Sequence, residues 1–252
     1  NMINKPLITK PNNSVELKLQ EIRDISEAKL EDTIKELKRD ILTLVHDAGS
    51  GHCGGSLSII RPLLIYYREI HQPQMIVPHL SKGHCVPALY ALVYQFGNIS
   101  SAEMGTFRTL TGLSGHADKR VQPIPSGILG LGGGIINGVA QANKLDHNSE
   151  KAYGFFGDGE LDEGPMWGAI KAAGDQQLNV CYIIDNNHKN LTGSLQGNFE
   201  NKIKAMESFG FRIIHTSNEI TQLIDSYQQA KSIFSPVAII INSIKGEGIS
   251  FM

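Results

Sequence analysis

The stretch KAYGFFGDGELDEGPMWGAIKAAGDQQLNVCYIIDNN, residues 151–187, decides the fold of this chain. It contains two apolar runs of strand length, KAYGFF (151–156) and NVCYIID (179–185), and a segment around 162–176 that is typical of a helix. Two strands joined by a helix form a βαβ unit, in which the strands run parallel and both faces of the sheet are covered. The stretch therefore predicts an α/β fold.

The same alternation continues toward the carboxyl end. FRIIHT (211–216) and PVAIIINSI (236–244) are typical of buried strands, and helix-length segments lie at 198–208 and 219–234. Nearer the amino end, residues 28–47 carry apolar side chains at helical spacing, which predicts an amphipathic helix. Repeated βαβ units predict a doubly wound parallel sheet with helices on both faces.

The bulk composition indicates one globular domain. Of the 252 residues, 41% are apolar and 19% are charged, and no linker-like tract divides the chain. We predict a single domain over residues 1–252, in which 1–27 form a polar N-terminal extension.

Charge and cysteine content argue against several classes of partner. A net charge of -2 without long Lys/Arg blocks predicts no nucleic-acid partner and no anionic membrane. No apolar run approaches the roughly 20 residues of a membrane span. Cys53, Cys85 and Cys181 lack disulfide or zinc-site spacing, which favours a reducing compartment, and we predict a cytoplasmic location.

Polar residues follow two of the predicted strands directly. In parallel sheets, ligands bind beyond the carboxyl ends of the strands, which is where Asp158 and Asn187 fall. Magnesium prefers oxygen ligands, and the glycines beside Asp158 allow a diphosphate to approach the backbone closely. Each tripeptide alone, GDG or DNN, is more often an ordinary turn or helix cap. Together they favour a site for a magnesium diphosphate.

This pairing of GDG with two asparagines resembles the cofactor motif of thiamine-diphosphate enzymes. Five further segments, in the right order, resemble the N-terminal, diphosphate-binding part of transketolases. They are GSGHCGGSLS (49–58), SKGHCVPALYA (81–91), SGHADKR and PSGILGLGGGIINGVAQANKLD within 114–146, and SIKGEGISF (243–251). The resemblance, which covers nearly the whole chain, implies a thiamine-diphosphate domain of the type that binds the diphosphate.

The resemblance also implies a role for individual residues. The metal ligands would be Asp158, Asn187 and the carbonyl of Lys189, around Mg²⁺ with Ca²⁺ or Mn²⁺ as substitutes. The contacts to thiamine diphosphate would come from His84, the backbone of Gly127, Ile128 and Leu129, Gly159, Asn187 and Lys245. His52 would be a proton-transfer partner of the substrate, and His116 would bind the donor's hydroxyl groups.

The three histidines suit this chemistry on physical grounds. Carbon-carbon cleavage next to a ketone moves protons on and off hydroxyl groups near neutral pH, and imidazole has the matching pKa. A histidine taken singly is more often a surface or core residue. A neighbouring glycine at His52, His84 and His116 favours close approach to a ligand instead.

Several positions depart from the transketolase pattern. Cys53, Ala117 and Ile128 stand where prolines are common, so the substrate side of the pocket would be reshaped. Gly168 follows Trp167 where the family often has glutamate.

No stretch of the chain resembles the pyrimidine-binding domain, which carries the cofactor-activating glutamate in this family. The resemblance therefore implies a separate C-terminal subunit that supplies that domain and its glutamate, in an α2β2 assembly acting on a sugar phosphate. The first hypothesis is the N-terminal subunit of a split transketolase-like enzyme that moves a two-carbon ketol unit from a ketose phosphate to an aldose phosphate or another acceptor.

Three alternatives remain at this point. The chain could be the α subunit of a 2-oxo acid dehydrogenase, which also has GDG and NN, although GSGHCGGS and SKGH argue against it. It could transfer a two-carbon unit to a carrier-bound thiol. It could also be a non-catalytic paralogue that binds the cofactor, although the presence of Asp158, Asn187 and the three histidines argues against this.

Overall fold

The strands of the central sheet alternate with helices through the second half of the chain. A computed structural model describes residues 17–187, 189–190, 193–194 and 199–250. In this part of the chain the strands are β1 (His79–Leu80), β2 (Ala152–Gly157), β3 (Val180–Asn186), β4 (Lys189–Asn190), β5 (Gly193–Ser194), β6 (Arg212–Ser217) and β7 (Val237–Asn242). The helices are α1 (Leu19–Arg23), α2 (Glu27–Asp47), α3 (Cys53–Glu69), α4 (Val86–Phe96), α5 (Ser101–Met104), α6 (Gly132–Leu145), α7 (Gly164–Asp175), α8 (Phe199–Ser208) and α9 (Ile220–Lys231). Two short 3-10 turns, Gly83–Cys85 and Asp158–Asp162, follow β1 and β2.

The central sheet is parallel and has the strand order β1-β2-β3-β7-β6. Along β2 and β3 the register runs from Ala152 opposite Val180 to Gly157 opposite Asp185. β7 pairs in parallel with β3 on one side and with β6 on the other. β4 and β5 form a separate, short antiparallel pair. The predicted α/β class with a parallel sheet is confirmed.

Helices cover both faces of this sheet, each over its own apolar core. The first core contains buried residues of α2, α3, α4 and α9, and the second core contains those of α6, α7 and α8. Side chains along a strand alternate between faces, so Ile183 lies in the first core while Tyr182 and Ile184 lie in the second. β3 is consequently buried along its whole length. This arrangement confirms the doubly wound architecture.

The elements predicted from periodicity are present. The helix expected over 28–47 is α2, and the four expected strands match β2, β3, β6 and β7 to within two residues at each end. The segment expected to be helical around 162–176 begins with the 3-10 turn Asp158–Asp162, and α7 starts only at Gly164. Pro165 in the first turn of α7 is well placed there, because its missing N–H would have no partner inside the helix.

Two long helices, α3 and α4, have no amphipathic pattern in the sequence. Every residue from 55 to 67 in α3 is buried, and so are residues 86–93 of α4. A helix that is buried all round has no polar face, so its apolar residues show no helical period. Pro62 lies inside α3 and is unfavourable in a helix, which means that tertiary packing rather than local propensity holds α3.

Part of the expected N-terminal extension, 1–27, packs against the rest of the chain. Residues 1–16 lie outside the described part of the chain. The described remainder contains α1, whose Ile22 is fully buried in the first core. Across the described residues, none of the helices combines the length and the apolar character needed to cross a bilayer.

The contact between Gly174 and Phe209 provides a test of the second core's packing. A Cβ added at Gly174, near the end of α7, would lie 1.6 Å from the carbonyl oxygen of Phe209. We expect Gly174→Ala to lower the free energy of unfolding by about 2 kcal/mol or more, because a backbone oxygen cannot move aside cheaply. Thermal unfolding followed by circular dichroism would show a melting temperature lower by roughly 4 °C or more.

Gly168→Ala is the matched control on the same helix. A Cβ at Gly168 would meet no atom within 4 Å. This variant should be as stable as the wild type or slightly more stable, since alanine has the higher helix propensity. Equal melting temperatures for the two variants would contradict the packing described here.

Candidate functional site

The carboxyl ends of β2 and β3 bring two predicted metal ligands to one edge of the sheet. Gly157, the last residue of β2, pairs with Asp185 in β3, so the residues after each strand emerge side by side. Asp158 begins the 3-10 turn and is buried, and Asn187 is buried just after β3. Oδ1 of Asp158 accepts a hydrogen bond from the Gly159 N–H at 2.8 Å, which orients the carboxylate.

Lys189 lies in β4, next to the same turn. β4 contacts the 3-10 turn Asp158–Asp162, which brings Lys189 to the Asp158 side of the site. Oδ1 of Asn187 accepts a hydrogen bond from the Lys189 N–H at 3.2 Å, and its Nδ2 donates to Asp185 Oδ2 at 3.1 Å. These two bonds fix the orientation of the Asn187 amide. The structure therefore places the three predicted metal ligands in one region.

The donors in this region suit a hard cation. They offer a carboxylate oxygen from Asp158 and an amide oxygen from Asn187, which are groups that Mg²⁺ prefers. Among the described residues, no group of three or more His, Cys, Asp or Glu side chains could hold a metal by itself. Mg²⁺ commonly takes few protein ligands and completes its shell with phosphate and water, so this sparse donor set fits a metal bound together with a diphosphate.

A buried ion pair lies beneath this edge and was missed by the sequence analysis. Lys82 Nζ donates to Asp185 Oδ2, and both side chains are almost fully buried. Ser58 Oγ donates to the same Oδ2 at 2.7 Å, and Ser243 Oγ donates to Oδ1. Both partners lie inside segments singled out above, Lys82 in SKGH and Asp185 in IIDNN. Local spacing cannot show that they meet, because 103 residues separate them.

The protonation states of Lys82 and Asp185 support one another. Burial raises the pKa of Asp185, but the ammonium of Lys82 and the hydroxyl donors outweigh it, so that pKa lies below its ordinary value. Burial lowers the pKa of Lys82, but Asp185 outweighs it and the pKa is raised. Asp158 adds a further attraction for the same ammonium. Lys82 therefore places a positive charge next to the predicted metal and diphosphate region.

Glu160 holds the GDG turn in shape. Its Oε1 accepts the Gly157 N–H at 3.0 Å, and its Oε2 accepts the hydroxyl of Ser81. Ser81 directly follows β1, so this carboxylate joins the end of β1 to the end of β2. Burial raises the pKa of Glu160. The sequence motif gave Glu160 no role, although it is nearly as buried as Asp185.

The three predicted histidines lie close together beside this edge. His84 is in the 3-10 turn after β1, and its ring centroid is 5.3 Å from that of His52, at the start of α3. His116 lies against the same turn, with its Cδ2 3.3 Å from the position of a Cβ at Gly83. The Ala117 N–H donates to the Gly83 carbonyl at 3.3 Å, which ties the His116 loop to the His84 turn.

Lys245 packs against the start of α3, directly after His52. Its Cγ is 3.1 Å from the position of a Cβ at Gly54, in the first turn of that helix. Arg108, which had no predicted role, approaches from the His116 side, with Nη1 3.0 Å from the position of a Cβ at Gly115. These cations surround the histidines with positive charge.

Burial and positive neighbours lower the basicity of two histidines. Burial is the largest cause for His84, followed by Lys82 and the neighbouring imidazoles, and its pKa falls to about 3. Burial, Arg108 and His116 lower the pKa of His52. Both rings are therefore neutral near pH 7, and a neutral imidazole can accept a proton. His52 and His116 are exposed, as groups that contact a substrate must be.

The predicted cofactor loop of Gly127, Ile128 and Leu129 lies in the open. A Cβ at Gly127 would meet no atom within 4 Å, which leaves room for a ligand against its backbone. Ile128 is 71% exposed and Leu129 49% exposed, and Leu131 shortly after them is 41% exposed. The Ser126 N–H donates to the Ala117 carbonyl at 2.9 Å, which joins this loop to the His116 segment.

We expect His84 to weaken the fold as the pH falls. Its folded pKa of about 3 lies below the ordinary 6.5, so between these values the unfolded chain binds a proton that the folded chain does not. The free energy of unfolding should therefore be unaffected by this residue above about pH 6.5 and decrease below it. His84→Gln removes this proton uptake, and urea unfolding should show a shallower decline between about pH 7 and about pH 5.

A slope for His84→Gln equal to that of the wild type would contradict the described environment of His84.

The chain is similar in sequence to a known protein family. The profile described as "Transketolase, thiamine diphosphate binding domain" matches residues 26–251. Human transketolase is 32% identical over 237 residues, which cover 88% of this chain and 38% of the human protein. A 6-deoxy-6-sulfo-D-fructose transketolase subunit from Clostridium sp. (strain MSTE9) is 33% identical over 227 residues, which cover 81% of this chain and 80% of that subunit.

A solved structure has the same fold. Transketolase from Campylobacter jejuni matches with a TM-score of 0.79 at 24% identity, over 90% of this chain and 39% of that one. The chain thus spans well under half the length of the whole transketolases it matches. Because the family profile extends over nearly all of it, the chain belongs to the transketolase family and carries that family's thiamine diphosphate binding domain.

Proposed function

We propose that the chain is the N-terminal, diphosphate-binding subunit of a split transketolase-like enzyme. The enzyme transfers a two-carbon ketol unit from a ketose phosphate to an aldose phosphate or another acceptor. The observation that carries this proposal is that one sheet edge holds both the Asp158 and Asn187 oxygens and the group of His52, His84 and His116. The similar length of the Clostridium transketolase subunit supports a split enzyme.

The residues at the sheet edge would divide the binding of the cofactor between them. Asp158, Asn187 and the carbonyl of Lys189 would hold Mg²⁺, with Ca²⁺ or Mn²⁺ as substitutes. The contacts to thiamine diphosphate would come from Gly159, Asn187, His84, Lys245 and the backbone of Gly127, Ile128 and Leu129. When bound, thiamine diphosphate supplies the nucleophile and the electron sink for carbon-carbon cleavage.

The chain's own contribution to the reaction would be binding and proton transfer. His52 is exposed, and its lowered pKa keeps the ring neutral near pH 7, so it could take a proton from a substrate hydroxyl. His116, exposed beside the His84 turn, would donate or accept hydrogen bonds at the donor's hydroxyl groups. His84 is less exposed and its low pKa keeps it neutral, which suits a contact with the cofactor.

A partner subunit would complete the site. We propose that it carries the pyrimidine-binding domain and the cofactor-activating glutamate, that two copies of each chain form an α2β2 assembly, and that this chain contributes one domain. The exposed apolar side chains of Ile128, Leu129 and Leu131 lie beside the cofactor loop and would be covered by this partner. Free cysteines, two of them buried, support a cytoplasmic location.

Asp158→Ala should abolish Mg²⁺-dependent binding of thiamine diphosphate. The buried carboxylate is the one negatively charged group among the proposed metal-binding oxygens, so its loss removes most of the attraction for the ion. Isothermal titration with and without Mg²⁺, on the chain together with its partner, would measure the effect. Asp162→Asn, on an exposed carboxylate at the end of the same turn, should bind like the wild type. Normal Mg²⁺-dependent affinity in Asp158→Ala would overturn the metal assignment.

The chain should be inactive alone and active with its partner. No ketol transfer is expected from the isolated chain, because the activating glutamate would lie on the other subunit. Adding the product of a neighbouring gene that encodes the pyrimidine-binding domain should restore transfer from a ketose phosphate to an aldose phosphate. Full activity of the isolated chain would sink the split-enzyme proposal. Decarboxylation of a 2-oxo acid without ketol transfer would point instead to the dehydrogenase alternative.

Two variants, one at each end of α6, test whether the apolar surface beside the cofactor loop binds the partner subunit. Leu131→Glu, beside the cofactor loop, should weaken binding of the partner in size-exclusion chromatography, since it places a charge in an apolar interface. Leu145→Glu, at the far end of α6 and also exposed, should leave partner binding unchanged.

A further inference from the structure

The turn after β7 carries Lys245 and is held to the body of the protein through Glu247. Oε1 of Glu247 accepts a hydrogen bond from Arg61 Nη1 at 2.6 Å, and Oε2 accepts one from Asn218 Nδ2 at 2.5 Å. The carbonyl oxygen of Glu247 accepts a third bond, from Lys38 Nζ at 2.9 Å. One residue is therefore fixed by α2, by α3 and by the segment between β6 and α9.

The same turn is bonded to the first turn of α3, directly after the loop that ends at His52. The Gly246 N–H donates to the Gly54 carbonyl at 3.0 Å, and the side chain of Lys245 packs over Gly54. Gly54 lies two residues after His52. Gly246 has a φ of 80°, a conformation that glycine adopts without strain, so the tight turn depends on that residue. A shift of Glu247 would therefore move Lys245 and disturb the loop of His52.

Arg61 forms a close ion pair with Glu247. Arg61 is buried, and its Nη1 also donates to the Asn218 carbonyl at 2.7 Å. Its Nη2 donates to both oxygens of Glu31, at 3.1 and 3.2 Å. The side chain of Glu31 is 48% exposed, whereas that of Glu247 is 21% exposed. Water screens the Arg61–Glu31 ion pair more than the Arg61–Glu247 ion pair. Arg61 therefore holds Glu247, and with it the turn, more strongly than it holds Glu31.

We propose that Glu247, held by Arg61, is a positioning residue that sets Lys245 against the cofactor and steadies the His52 loop, an inference that rests on the proposed function. Glu247 itself would touch neither cofactor nor substrate. Its carboxylate acts through the backbone of the turn, and the bond from Gly246 to Gly54 transmits its position to the substrate side.

The test titrates thiamine diphosphate, in the presence of Mg²⁺, into the chain assembled with its partner subunit. Glu247→Gln keeps the size of the side chain but removes its charge and one of its two acceptors. The dissociation constant for thiamine diphosphate should rise about tenfold. The value of kcat at saturating cofactor should fall as well, because excess cofactor restores occupancy but not the support that the Gly246–Gly54 hydrogen bond gives to His52.

Glu31→Gln is the matched control, since it removes the other carboxylate partner of Arg61 without touching the turn. It should bind the cofactor like the wild type. The melting temperature of each assembly shows whether a variant is unfolded or is folded with a displaced Lys245 turn. If Glu247→Gln does not fold, Arg61→Lys decides by the same titration, because a lysine keeps the charge but loses the forked geometry in which one nitrogen reaches Glu247 and the other reaches Glu31.

The possible results separate this inference from the proposed function. Unchanged cofactor affinity in Glu247→Gln, or an equal loss in Glu31→Gln, overturns the positioning role and leaves the proposed function standing. A wild-type assembly that does not bind thiamine diphosphate overturns the proposed function and this inference with it.

Discussion

The buried ion pair between Lys82 and Asp185 is the interaction on which the arrangement of the site depends. Lys82 follows β1 at the edge of the sheet, and its side chain runs across the end of β2 to reach Asp185 in β3. The glycine at the end of β2 leaves room for this crossing, with Lys82 Cε 4.0 Å from the position of a Cβ at Gly157. Removing one partner of such a pair strands a buried charge and costs about 3–5 kcal/mol. The His84 turn and the Asn187 end of β3 are therefore tied to a common point.

Periodicity predicts the central-sheet strands of the second half well, because helices of ordinary length separate them. It fails for α3 and α4, since both are buried on all sides and leave no polar face to reveal a period. In addition, α3 contains Gly54, Gly55 and Pro62, residue types that are more typical of loops than of helices. Only the first core, built from elements far apart in the chain, makes that segment helical.

The residues of the site fall into two groups: those that a short sequence motif predicts and those whose roles depend on residues far away in the sequence. Asp158, Asn187 and the three histidines could be predicted because each lies in a short motif, and the sheet brings those motifs to one edge. Lys82 and Glu160 could not, because their roles depend on partners contributed by other strands. Glu247 is a sharper case. Its partner Arg61 lies 186 residues away in the sequence, so nothing within its own motif indicates the contact.

The histidine half and the metal-ligand half of the site are attached to helices on opposite faces of the sheet. His52 stands at the start of α3, which packs in the first core, whereas the turn that begins at Asp158 leads into α7, which packs in the second. A ligand that contacts both halves would link the two helix layers across the edge of the sheet. Binding would then raise the free energy needed to open either layer, in proportion to the logarithm of ligand concentration. Hydrogen exchange in α3 and α7, on opposite sides of the molecule, would slow together.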